Sequence, residues 1–86
     1  METEERAKVF AALADPTRLK IVELLAERGE LSSSEIAESL GISLALYCHH
    51  SRTMLEAKVI SQRKDGQTKY TMLNQEVVSR SLKTLI

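Results

Sequence analysis

Residues 41–57 read Gly41-Ile42-Ser43-Leu44-Ala45-Leu46-Tyr47-Cys48-His49-His50-Ser51-Arg52-Thr53-Met54-Leu55-Glu56-Ala57. Glycine enters the left-handed region at no steric cost, so Gly41 can end one helix, and the Ser43 hydroxyl can cap the next. Only Ile42 lies between them, so two helices must meet across a very short turn. On a helix beginning after Ser43, residues Tyr47, His50, Ser51, Met54 and Leu55 share one face. Leu44, Ala45, Cys48, His49 and Arg52 share the opposite one. A tight helix-turn-helix presenting such a face is a means of entering the DNA major groove.

The flanks read as support for this second helix. Upstream, Ser32-Ser33-Ser34-Glu35 is a capping-box pattern that starts a helix running to about Leu40, with Ile36, Ala37 and Leu40 inward. Before it, Glu4 to Ala14 forms a first helix with acids in its opening turn and Val9, Phe10, Leu13 and Ala14 on one side. Asp15-Pro16 then caps and opens a second helix through Leu19, Ile21, Val22, Leu24 and Leu25, which Gly29 can end. Leu31 falls in a short extended link. Downstream of Ala57 the period changes: Asp65-Gly66 signals a hairpin between two short strands, a wing with Arg63, Lys64 and Lys69 near its tip. Asn74 can cap a last helix whose apolar stripe is Val78, Leu82, Leu85 and Ile86. The expected architecture is mainly α with a small β-hairpin, a dimeric winged helix-turn-helix in the order α-α-α-α-β-β-α. One domain spans 1–86, with the helix-turn-helix at about 32–57, the wing at about 59–73 and dimerisation helices at about 4–14 and 75–86.

Composition sets limits on function. Eighty-six residues with 43% hydrophobic content and no tryptophan make one small domain with an aliphatic core. Such a core is modest, so a second copy would add stability, and the stripe of Val78, Leu82, Leu85 and Ile86 is expected to pack beside Val9 and Phe10 of a partner about a two-fold axis. No apolar run approaches the roughly 18 to 20 residues that cross a bilayer. The acidic opening METEERAK has no apolar signal segment, and the single cysteine, Cys48, cannot form an internal disulfide. The expectation is a cytoplasmic protein without a membrane partner. Net charge is zero, but 1–42 carry nine acids and five bases while 43–86 carry three acids and seven bases. That −4 and +4 split permits a basic face on a neutral chain.

Taken together, Leu13-Ala14-Asp15-Pro16-Thr17-Arg18-Leu19, Ile21, Leu24-Leu25, Glu30-Leu31, Leu40-Gly41-Ile42-Ser43, Leu55-Glu56-Ala57, Asp65-Gly66-Gln67 and Tyr70 carry a resemblance. The chain resembles the ArsR/SmtB family of bacterial winged-helix repressors over nearly its whole length. The resemblance implies a homodimer on double-stranded DNA at a pseudo-palindromic operator, and release of that DNA by an inducer, whose identity the sequence does not give. Family positions that read bases, usually polar, fall here on Leu44, Ala45, Cys48 and His49. Of these His49 alone keeps a strong hydrogen-bonding group, while Leu44 and Ala45 suit thymine methyls. Arg52 is placed for a phosphate, and Arg63, Lys64, Gln67 and Lys69 for backbone or minor-groove contacts. His50 is expected as a satisfied core histidine, and Ser51, standing where the family usually has leucine, as either a slightly loosened contact or a hydrogen bond to the preceding turn. Lys58 replaces a glycine common in its turn, so φ > 0 there would carry strain.

Neither metal site of the founding members carries over. Ser32-Ser33-Ser34 stands where they place two cysteines about one residue, and hydroxyls are poor ligands for soft metals. The last helix offers Glu76 without a histidine. Adjacent helical residues point about 100° apart, so Cys48, His49 and His50 cannot converge on one ion. No metal, cofactor or catalytic residue is therefore expected, and the chain has no triad, carboxylate pair or phosphate-cradling loop to suggest an enzyme. Two other readings stay open: a winged-helix module that docks proteins through Leu44, Ala45 and Leu46, and a thiol-responsive regulator acting through Cys48.

Overall fold

Local chemistry sets most of the boundaries. The computed structural model describes residues 1–83 and 85–86. Helix α1 (Thr3–Leu13) opens with the Glu2 N–H donating to the Glu5 carboxylate at 3.2 Å. Helix α2 (Pro16–Arg28) is capped by Asp15, whose carboxylate accepts the Arg18 N–H at 3.0 Å. That bond holds the Asp15 carboxyl below the ordinary carboxylate range. After Gly29, the two-residue strand β1 (Leu31–Ser32) leads into α3 (Ser33–Leu40) through the expected Ser32–Glu35 capping box. Gly41, at φ 66°, ends α3 in the left-handed region; its N–H and that of Ile42 return to the carbonyls of Glu38 and Ala37. Ser43 Oγ then accepts the Leu46 N–H at 3.0 Å and starts α4 (Leu44–Glu56). The strands β2 (Ile60–Asp65) and β3 (Thr68–Leu73) and helix α5 (Gln75–Lys83) complete the chain.

The hairpin has an additional strand. Leu31 and Ser32 pair antiparallel with Thr71 and Tyr70, giving a three-stranded sheet in the order β1-β3-β2. Two residues were too few to announce a strand by alternation, so the sequence suggested only an extended link there. β2 and β3 pair in register from Ile60 opposite Leu73 to Asp65 opposite Thr68, leaving Gly66 and Gln67 as the two-residue turn. At the other end the Asn74 N–H donates to the Val59 carbonyl at 2.8 Å, which fixes where α5 leaves the sheet.

The core forms where these elements meet. Ile21 and Leu25 of α2, Ile36 of α3, Tyr47 and Met54 of α4, and Val59 and Ile60 at the wing base are buried together. Burying each such side chain contributes about 1.5–3 kcal/mol. Two placements differ from the helical arithmetic. Val9, expected on an interchain stripe, is 1% exposed in the chain's own core, because α1 turns that side onto α4 and α5. Leu55, expected on the buried face of α4, is exposed; that face is already filled by Tyr47, His50, Ser51 and Met54. Phe10 and Val78 are half-buried, whereas Leu82, Leu85 and Ile86 are 41%, 67% and 99% exposed.

Lys58 adopts φ 63°, the left-handed conformation that a β-carbon disfavours by roughly 1–2 kcal/mol. Its side chain is exposed, so glycine would relieve the strain and forfeit little contact. The extra freedom of an unfolded glycine costs about 0.5–1 kcal/mol in return. Lys58→Gly should therefore stabilise the fold by about 0.5 kcal/mol, read from urea midpoints at constant slope; a clear loss would contradict this account of the turn.

Candidate nucleic-acid interface

A rigid back gives α4 a fixed front. Tyr47 is fully buried, and its hydroxyl shares a 2.6 Å hydrogen bond with Thr71 Oγ1 of β3, which also accepts from Gln62 Nε2 of β2 at 3.2 Å. One helical turn on, Ser51 Oγ donates to the Cys48 carbonyl at 3.0 Å, the second of the two arrangements expected there. His50 is buried on the same side and contacts Arg18. With these groups turned inward, Leu44, Ala45, Cys48, His49 and Arg52 all lie exposed on the front. The His49 ring stands edge-on to His50, with centroids 5.6 Å apart.

The wing meets this front. Leu44 and Cys48 of α4 share a cleft of about 240 Å³ with Gln67 and Lys69 of the wing and with Ser33 and Ser34 at the start of α3. Arg52 joins Cys48 and Lys69 around an adjoining cleft with Gln62. Expected residues from two separate elements thus line one surface. The α3 serines in it were missed: their place in a capping box explained them fully, and only the tertiary approach of β3, where Ser33 Oγ donates to the Lys69 carbonyl at 3.4 Å, brings them here. Lys64 and Lys69 face each other directly across β2 and β3. Like charges so placed are destabilising in a hairpin, and an anionic partner is what would offset them.

Arg63 is placed differently from expectation. Its Nε–H and Nη2–H donate to Glu30 Oε2 and Oε1 at 2.9 and 2.7 Å, and its guanidinium carbon lies 4.6 Å from the Tyr70 ring centroid. A bidentate, stacked arginine is held in place on both sides. It clamps the wing to the segment before β1, with two of its five N–H groups committed to Glu30. Sequence gave no signal of this, because Glu30 and Arg63 are 33 positions apart.

Cys48 and His49 point outward while His50 is buried, so the three do not converge. Among the described residues no group of three or more His, Cys, Asp or Glu side chains is arranged to hold a metal ion. Among them, too, no helix is long and apolar enough to cross a membrane.

A capped helix pair with a three-residue hinge, an exposed second-helix front and a basic hairpin beside it define a winged helix-turn-helix of the DNA-binding class. A family model described as a helix-turn-helix domain matches residues 13–63. The transcriptional repressor SdpR of Bacillus subtilis is 38% identical over 78 residues, which cover 91% of this chain and 86% of that protein. A cadmium resistance transcriptional regulatory protein CadC homolog of Staphylococcus aureus is 38% identical over 74 residues, covering 86% of this chain and 61% of that one. Among solved structures, an ArsR-like transcriptional regulator from Rhodococcus sp. superposes with a TM-score of 0.85 at 28% identity, over 95% of this chain and 76% of the other. The homodimeric winged helix-turn-helix DNA-binding domain Mb0332 from Mycobacterium bovis gives 0.83 at 25% identity, over 95% and 76%. The chain belongs to the ArsR/SmtB family of transcriptional regulators.

The clamp on the wing has a defined acid limit. Hydrogen bonds from Arg63 hold the Glu30 carboxyl below its ordinary value of 4.5. A carboxylate depressed on folding adds stability that is complete above its unfolded value and is lost as pH falls through the folded one. The stability difference between wild type and Arg63→Ala, measured by thermal melting, should hold steady near about pH 7 and shrink below about pH 4.5. A difference independent of pH would mean that Glu30 is not the partner.

Proposed function

We propose that the chain is a homodimeric repressor that binds a pseudo-palindromic operator and leaves it on binding an inducer. In this reading α4 lies in the major groove with Leu44, Ala45, Cys48 and His49 toward the bases and Arg52 toward a phosphate. Lys64, Gln67 and Lys69 of the wing reach the adjoining backbone, and Arg63 holds the wing in place for them. The observation that carries the proposal is the surface shared by α4 and the wing, where Lys69, paired across the strands with Lys64 and in no ion pair among the described residues, stands beside an exposed helix front. The exposed Leu82, Leu85 and Ile86 favour a second copy across α1 and α5, as does the homodimeric state of the Mycobacterium bovis domain. Repression, and not another output, is supported by the likeness to SdpR.

A docking role for proteins has one observation in its favour, the exposure of Leu44 and Leu46 at the start of α4. Salt separates the two readings. DNA binding through Lys64 and Lys69 releases counterions, so affinity falls steeply as salt rises; an apolar dock is nearly indifferent to it.

Operator affinity can be followed by fluorescence anisotropy on the duplex recovered from a random-sequence pool. Lys64→Ala should weaken binding to all sequences alike and make the slope of log affinity against log salt shallower by about one. Arg63→Ala should leave that slope near the wild-type value. His49→Ala should relax preference at its base position by about 1–3 kcal/mol while preserving the slope. Recovery of no preferred duplex at low salt, with a stable protein complex instead, would overturn the DNA-reading assignment.

A further inference from the structure

Behind the reading front, Arg18 joins three helices. Its Nε–H donates to the Ala12 carbonyl at 2.6 Å and its Nη2–H to the Ala11 carbonyl at 3.4 Å. The guanidinium therefore closes the C-terminal end of α1, where carbonyls lack helical partners and a cation is favoured. Its Nη1–H points at His50 Nδ1, 3.2 Å away on the buried back of α4. A guanidinium has donors and no acceptor. The Nδ1 atom must then present a lone pair, and the proton of a neutral ring sits on Nε2. Asp15 Oδ2 is 3.9 Å from the same nitrogen, too far for a hydrogen bond, and is already bonded to the Arg18 N–H. His50 is only 8% exposed, so few waters can replace Arg18 as its partner.

We propose that Arg18 and His50 are positioning residues for DNA reading, fixing how α4 is set against the end of α1 through an acceptor that exists only while His50 is neutral. The inference rests on the DNA-reading role of α4 proposed above. Protonating Nδ1 turns the acceptor into a donor and sets a cation against the guanidinium. The charged and titratable groups around the ring are Arg18 from α2, Asp15 from the α1–α2 corner and His49 on α4. From α1 come the Ala11 and Ala12 carbonyls on Arg18, and Lys8 and Glu56 line with Arg18 the cleft beside it. Asp15 is the anion that a protonated ring would turn toward, which breaks the link to α1 and moves the back of α4.

Two variants and one spectrum test this on the full-length protein. Asparagine keeps an acceptor near the Nδ1 position and does not titrate, whereas leucine fills space without one. At about pH 7.5, His50→Asn should bind the selected duplex within about twofold of wild type, and His50→Leu about tenfold more weakly. Nitrogen-15 spectra of the wild-type protein without DNA should show His50 with Nδ1 unprotonated and Nε2 protonated. A protonated Nδ1 at about pH 7.5, leucine equal to wild type, or asparagine as weak as leucine would each overturn the proposal. If wild type selects no duplex, the DNA-reading role fails, and the tautomer still decides whether the Arg18–His50 link exists.

Discussion

The contact on which the surface proposed to face DNA depends is the buried bond between Tyr47 and Thr71. A phenol with no access to water must find a partner or carry a penalty of about 1–3 kcal/mol, and the partner in reach lies on the central strand of the sheet. Satisfying one polar group therefore sets the height and rotation of α4 relative to the wing. Gln62 donates to the same threonine from the outer strand, so all three elements meet at one oxygen. The front of α4 and the face of the hairpin then share a surface because their backs share a hydrogen-bonded anchor.

Most of the fold was legible because its boundaries are local. Asp15, Ser32, Ser43, Gly41 and Gly66 each act on backbone groups within four residues of themselves, so short windows of sequence reveal them. Placement of α4's back was legible for the same reason, since helical spacing alone separates Tyr47 and Met54 from Cys48 and His49. What stayed hidden is long-range. The third strand exists because β3 reaches β1, the clamp on Arg63 because Glu30 folds beside it, and the Arg18–His50 link because α2 crosses behind α4. None of these leaves a periodic trace. Val9 shows the same limit from the other side: an apolar stripe states that a face is covered and does not state by what.

The chain also shows how a neutral protein can carry a charged task. Opposite charges here divide between pairing and exposure. Glu30 neutralises Arg63, and Glu35 is occupied with the cap of α3. Lys64 and Lys69 face each other across the strands, and among the described residues neither is in an ion pair. Net charge counts all of these equally, whereas a phosphate meets only the cations left unpaired on the wing and on α4.

The clamp at the root of the wing bears on how quickly a complex could form and what heat it would release. A hairpin that orders only on contact loses chain entropy at that moment, slows productive encounter and adds a folding contribution to the heat-capacity change. Bonds from Arg63 to Glu30 and its stacking on Tyr70 settle the arm during folding instead. In the proposed binding mode, encounter with a duplex would then be a collision between two shaped surfaces, governed by orientation and ionic steering. The heat-capacity change of that mode would follow from the area covered, with no share from ordering the arm.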